Sequence, residues 1–213
     1  PCAISLGTYA LVAPRTDGIS RLYSMNVPEQ GVVQFPMHGA VKSDAYGWAN
    51  YPIGVVRVME DAGHRAAHGF DIVLYGTLPN GAGLSSSASI EVLMAVILND
   101  ELNLGIDMVE LVKFSQKAEN EFVGMNCGIM DQFAVGMGKK DCAILLDCNT
   151  LSYRYSKLAL DGCSIVITNT NKTHSLVTSA YNERRAQCES ALKALHKVKP
   201  IKALGELTNA EFD

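Results

Sequence analysis

Leu78–Glu91 reads LPNGAGLSSSASIE, glycines and a serine triplet standing between an apolar run and a helical one. Upstream, FDIVLYG at Phe70–Gly76 is short, apolar and bounded by turn signals, which predicts a buried strand. Downstream, Ile90, Leu93, Met94 and Ile97 recur at helical spacing within Ser86–Leu102. The glycine-serine stretch therefore opens a helix. The first N–H groups of a helix have no internal partner and sit at the positive end of the macrodipole, a setting that favours an anion. Gly81 and Gly83 can take the positive φ that a cradle of inward-pointing amides requires. Ser85, Ser86 and Ser87 add hydroxyls, so the stretch reads as a phosphate-binding turn.

Two better-known glycine signatures do not fit. A Walker A loop ends in Gly-Lys-Ser/Thr, and no lysine lies between Thr77 and Leu111. In the dinucleotide fingerprint, Ser86 would stand where the third glycine belongs. The acid about twenty residues on, Glu101, falls near a helix end instead of after a second strand.

A chain of 213 residues can bury a substantial core, and 48% hydrophobic content without a long uninterrupted apolar run predicts a globular protein with no transmembrane helix. The net charge of −4, with both signs interspersed, offers no global attraction for nucleic acid or an anionic membrane, so an anionic ligand must be held locally. The opening PCAISLGTYALV lacks an initiator Met and a basic signal region and reads as a chain entered midway. Six cysteines without a C-x-x-C pair suggest reduced thiols, mostly small core residues. His64 and His68 stand four apart, yet no Glu follows His64, and a solvated segment is a better reading than zinc.

Along the chain, two apolar stretches in Ala3–Asn26 flank Pro14–Gly18, where Asp-Gly and Pro predict the turn of a hairpin. Trp48–Glu60 has Ile53, Val56 and Met59 at helical spacing with Pro52 near a first turn, predicting a helix before the Phe70 strand. Asp107 with Glu110 forms a capping box for a helix to Phe122, its stripe made by Leu111, Val112, Ala118 and Phe122. A further helix starts near Met130, strands follow at Ala143–Asp147 and Gly162–Thr168, and Leu176–Val198 is a long amphipathic helix. Asn149–Lys157 is the one candidate boundary. The alternation indicates a layered α+β or α/β fold.

A second constellation lies in AENEFVGMNCGIMDQFAVGMG, Ala118–Gly138, where Glu119, Glu121 and Asp131 flank a glycine-bearing turn. Asp131, near a helix start, meets free amides and a favourable dipole that keep it ionised at neutral pH, and it is the candidate catalytic group. On its own it reads sooner as a helix cap or a first-turn charge than as a catalytic group. Glu119 adjoins the apolar stripe and is partly shielded, whereas Glu121 projects towards solvent. A shielded carboxylate with one serine hydroxyl suits Mg²⁺, which prefers hard oxygen ligands and keeps several waters. Taken singly, Glu119 is a surface charge, Trp48 a core residue and Tyr181 a helix-packing residue.

The string PxGxGLSSSAS resembles the ATP motif of the GHMP kinases. NCGIMDQFA at Asn126–Ala134, ILLDC at Ile144–Cys148 and NTNKTHSLVTSAYNERRAQC at Asn169–Cys188, with RLYSMN at Arg21–Asn26 and WANY at Trp48–Tyr51, resemble the galactokinase branch in the galactokinase order. The resemblance implies an α+β two-domain fold. Its first domain, 1–152, is like domain 2 of ribosomal protein S5, a mixed sheet with a left-handed βαβ unit; 153–213 begins a ferredoxin-like second domain. It also implies roles for residues. Asp131 matches the active-site aspartate facing the sugar's anomeric hydroxyl, and Gly128 and Tyr181 match sugar-contacting positions. Gly81, Ala82, Gly83, Leu84, Ser85, Ser86 and Ser87 match the triphosphate loop, Trp48 the aromatic position near adenine, and Ser24 a nucleotide contact. Ser87 and Glu119 match the ligands of Mg²⁺. The implied partners are galactose and MgATP, in a cytoplasmic monomer. The family's GRVNLIGEHTDYNGG-like element, with its catalytic arginine, and its GGGFGG-like motif are not in this sequence. The 213-residue chain alone is therefore expected to be inactive, and Arg154, Arg184 and Arg185 do not match that arginine.

Overall fold

A computed structural model describes residues 1–79, 81–169 and 175–212, with backbone alone for 175–179 and 212. Asn80 of the phosphate loop and residues 170–174 of the Asn169–Cys188 motif lie outside the described residues.

Four strands form one mixed sheet: β1 (Thr8–Pro14), β2 (Ile19–Ser24), β3 (Val33–Pro36) and β4 (Phe70–Gly76), in the order β1-β4-β2-β3. β4 pairs antiparallel with β1 and parallel with β2, while β2 and β3 are antiparallel. The alternation along β4 puts Phe70, Ile72 and Leu74 inward and Val73 and Tyr75 outward. Leu22 is paired with Ile72, so inward residues of adjacent strands lie side by side. Helices α1 (Asn50–Asp61) and α2 (Ser86–Glu101) supply Ile53, Val55, Met59, Met94 and Ala95 to the same core. The expected α+β architecture with a mixed sheet is what the chain adopts.

The expected hairpin between the first two strands does not form. β4 inserts between them, because the turn at Pro14–Gly18 is occupied by β4's approach: Arg15 N–H donates to the Gly69 carbonyl at 2.9 Å and Gly69 N–H to that of Asp17 at 2.6 Å. Gly69 is fitted to this contact, since a Cβ there would stand 1.9 Å from the Ile19 carbonyl oxygen. Arg15 and Arg21 both reach Asp71 on the outer face, and their hydrogen bonds, that of Arg21 foremost, hold its carboxyl down at about 2.

Helix α3 (Met108–Lys117) is capped by Asp107, whose side chain accepts from the Glu110 N–H at 3.1 Å. Instead of running on to Phe122 as an α-helix, the chain widens into a π-helical turn, Ala118–Val123, closed when Gly124 N–H donates to the Glu119 carbonyl five residues back. Helix α4 (Met130–Gly136) follows the Gly128 turn. Val112, Ile129, Phe133 and Ile144 form a second, smaller core between α3, α4 and β5 (Cys142–Leu146).

β5 pairs with β6 (Tyr153–Lys157), so the stretch read as a candidate boundary contains a strand; the expected division at 152/153 falls where β6 begins. Residues 163–168 run without regular structure, with Val166 83% exposed, and correct the strand expected there: an apolar run is a strand only where a neighbour offers its ladder. Helix α5 (Ser175–Leu195) is present, and among its described side chains Asn182 and Leu192 are half-buried while the others are exposed. The helix expected from Trp48 starts at Asn50. Asp44–Ala49 is a tighter 3₁₀ turn kinked at Gly47, and Asn50 ties it down by bonding both the N–H and the carbonyl of Ser43. The six cysteines are free. His64 and His68 meet the edges of Phe114 and Phe70, and among the described residues no helix is long and apolar enough to cross a membrane.

Candidate active site

One cavity of about 520 Å³ opens where α2 begins. Its floor is the loop after β4. Gly81 and Gly83 take φ of +68° and +71°, and Ser85 itself sits in the left-handed region at +56°, a conformation that costs a non-glycine residue and marks a constrained loop. Ser85 makes no side-chain cap, so among the described residues no side chain accepts from the first amides of α2. Gly81, Gly83, Leu84 and Ser85, Ser86 and Ser87 all line the cavity; Ala82, half-buried, does not.

Ser24, at the inner end of β2, reaches the opposite wall and accepts from the Asn26 N–H at 3.2 Å. Trp48 lies beside it because the kinked turn before α1 turns its indole inward. The indole nitrogen is buried and lacks a hydrogen-bond partner. Such a donor is costly to bury unless something else meets it.

The third wall carries the groups with reactive chemistry. Asp131 stands exposed in the first turn of α4 and lines the cavity. Gly128 N–H donates to the Tyr181 hydroxyl at 3.1 Å, and Asn126 N–H donates to Asn182 Oδ1 at 3.2 Å, so α5 is hooked onto the turn before α4. Gly128 and Tyr181, both matched to sugar-contacting positions by the resemblance, thus touch in space. Glu119 is 3% exposed, more enclosed than its expected partial shielding, whereas the Glu121 side chain is 66% exposed as anticipated.

Behind Glu119 lies a buried polar knot that the sequence reading missed. Gln132 Nε2 donates to Glu119 Oε2 at 2.6 Å and to Glu91 Oε2 at 3.1 Å, and Cys127 Sγ donates to the same Glu119 oxygen at 3.3 Å. Glu91 and Gln132 are both fully buried. Burial above all, and then the neighbouring Glu119 charge, push the Glu91 carboxyl up to about 10, so it holds its proton at neutral pH. Burial and Glu119 likewise push up the Cys127 thiol and the Tyr51 phenol. Periodicity could not find Glu91, because α2 is buried on most of its circumference and no polar face singles it out.

A divalent cation at this wall would need hard oxygen donors beside the phosphate loop. The Glu119 carboxylate and the Ser87 hydroxyl fit that need, since both line the cavity. Among the described residues no cluster of three or more His, Cys, Asp or Glu could hold a metal ion.

The family model for the GHMP kinases N terminal domain matches residues 50–139, the span from α1 through the phosphate loop to α4. The galactokinases of Clostridium beijerinckii and Clostridium acetobutylicum are 57% and 58% identical over all 213 residues, which are 55% of each relative. The crystal structure of Lactococcus lactis galactokinase complexed with galactose superposes with a TM-score of 0.90 at 41% identity, covering 100% of this chain and 55% of that one. The chain thus spans about half the length of the relatives it matches. Identity of this order, held from the first residue to the last and accompanied by the same fold, shows a chain that is similar throughout to galactokinases and whose residues 50–139 carry a GHMP kinases N terminal domain.

Proposed function

We propose that the protein containing this chain transfers the γ-phosphoryl group of ATP to the 1-hydroxyl of α-D-galactose, giving galactose 1-phosphate and ADP, as a cytoplasmic monomer. The observation that carries the reading is the convergence on one cavity of the serine-glycine helix start, the enclosed Glu119 and Asp131, in a fold matched over its whole length by a galactokinase holding galactose.

Phosphoryl transfer asks a protein chiefly for alignment and charge stabilisation. The open amides of α2 and the hydroxyls of Ser85, Ser86 and Ser87 donate to the phosphate oxygens. Trp48, with its unpartnered indole N–H, and Ser24 receive the nucleoside end. Gly128 and Tyr181, already joined by a hydrogen bond, border the sugar. Asp131 takes the proton of the attacking hydroxyl or orients it by hydrogen bonding. Bound by Glu119 and Ser87, Mg²⁺ would neutralise the charge of the β- and γ-phosphates.

The test is ATP-dependent phosphorylation of a hexose panel by the complete source protein, with the product position assigned by NMR. Galactose 1-phosphate is the expected product. Another sugar phosphate, such as that of N-acetylgalactosamine, moves the specificity and keeps the chemistry. Binding of galactose and ATP without turnover replaces the enzyme by a noncatalytic sugar- and nucleotide-binding regulator, a reading the intact Ser85–Ser89 run disfavours.

A further inference from the structure

Gln132 has two amide hydrogens, and both are spent on carboxyl groups from different parts of the fold. One goes to Glu119 of the π-helical turn and the other to Glu91 of α2, the helix that the phosphate loop opens. Its carbonyl oxygen is buried without a partner. Reversing the amide would set that oxygen 2.6 Å from the Glu119 carboxylate oxygen, which can only accept. The orientation is thus dictated by the carboxylate. Nor is Gln132 filling space that an apolar side chain would fill less well: it lies beside Phe133 in a helix with an apolar core contact, where a buried amide left partly unsatisfied costs stability.

We infer that Gln132 is a positioning residue for the divalent-cation site: from the core side its amide fixes the Glu119 carboxylate at the cavity wall and ties it to the phosphate-loop helix. The inference rests on the reading of Glu119 and Ser87 as cation ligands. Three elements meet at this one nitrogen, and each carries a part of the proposed machinery: α2 the phosphate loop, the π-helical turn Glu119, and α4 Asp131, the residue next to Gln132 in sequence. Partners that orient a metal-binding carboxylate from behind commonly matter tenfold to a hundredfold to metal affinity.

The test measures Mn²⁺ binding to the complete protein by the loss of the free-ion EPR signal, in the presence of a nonhydrolysable ATP analogue. Gln132→Met keeps the volume and removes the donor. The expected result is manganese affinity lowered about tenfold or more, with affinity for the metal-free analogue changed less than twofold. A folded Q132M that binds manganese as the wild type does overturns the inference. Should Q132M fail to fold, two double variants decide. E91Q/Q132M supplies a donor to Glu119 from the α2 side, and E91M/Q132M supplies none, while both remove the second carboxyl. Tighter manganese binding by the first supports the role, and equal binding refutes it. A wild-type protein that binds no manganese with the analogue refutes the cation site and this inference together. One that binds manganese but phosphorylates no sugar defeats the proposed reaction and leaves this test standing.

Discussion

Asp131 and Gln132 are neighbours in sequence that face opposite ways, one exposed at the cavity and the other fully buried against two carboxyl groups. Asp131→Asn keeps the shape and removes the proton acceptor. We expect kcat of the complete protein to fall about 10²- to 10⁴-fold with an unchanged melting temperature; near-normal turnover would strip Asp131 of its role. Glu91 makes a prediction about pH. Its folded carboxyl, near 10, lies above the ordinary carboxylate value of 4.5. Below that value both folded and unfolded chains hold the proton. Between the two, only the folded chain holds it, so its stability contribution drains away as pH rises. Glu91→Gln is permanently neutral and escapes this loss. Its stability advantage over wild type should widen by about 4 kcal/mol from pH 5 to pH 8, read from denaturant midpoints; an advantage independent of pH would mean that Glu91 is ionised in the fold.

Among the elements, β4 and α2 were legible almost to the residue, because a short apolar run between turns and a serine-rich helix start each leave a local mark. Pairing left no such mark. The turn between β1 and β2 has hairpin chemistry, yet the partner of both strands arrives from residues 70–76. β6, exposed along its length, lacks the apolar alternation that would announce a strand and exists through its ladder with β5. Gly69 is where β4 enters, and Gly69→Ala must push against the Ile19 carbonyl, 1.9 Å from the added carbon. The loss should be about 1–3 kcal/mol in chemical denaturation, and an unchanged midpoint would show that the strand entry can shift freely. The link from α5 to the Gly128 turn is slighter. Tyr181→Phe leaves the Gly128 N–H without its acceptor and should cost about 1 kcal/mol while raising the KM for galactose severalfold. An unaltered KM would separate Tyr181 from the sugar.

At the scale of the molecule, the site was legible as far as its residues sit in contiguous strings: the loop, the Gly128–Asp131 turn and Trp48 converge on one cavity. The knot of Glu91, Gln132 and Cys127 was not, because it is assembled from separate segments by burial and leaves no spacing to read. The described residues lining the cavity include no lysine or arginine, although a triphosphate brings several negative charges. The relatives are nearly twice as long as this chain. Assayed by itself, the 213-residue chain is expected to yield no galactose 1-phosphate, and measurable product would show that its own groups suffice. The central position of β4 also sets a timetable for synthesis. β2 and β3 can pair as soon as both have left the ribosome, but β1 waits for Phe70–Gly76, some 60 residues behind it. At about 5–20 residues per second that wait is several seconds, during which Tyr9 and Leu11 stand on an unclaimed strand edge. The nascent chain therefore carries β1 without its β4 partner through that interval, when an unpaired strand invites self-association and a chaperone can help.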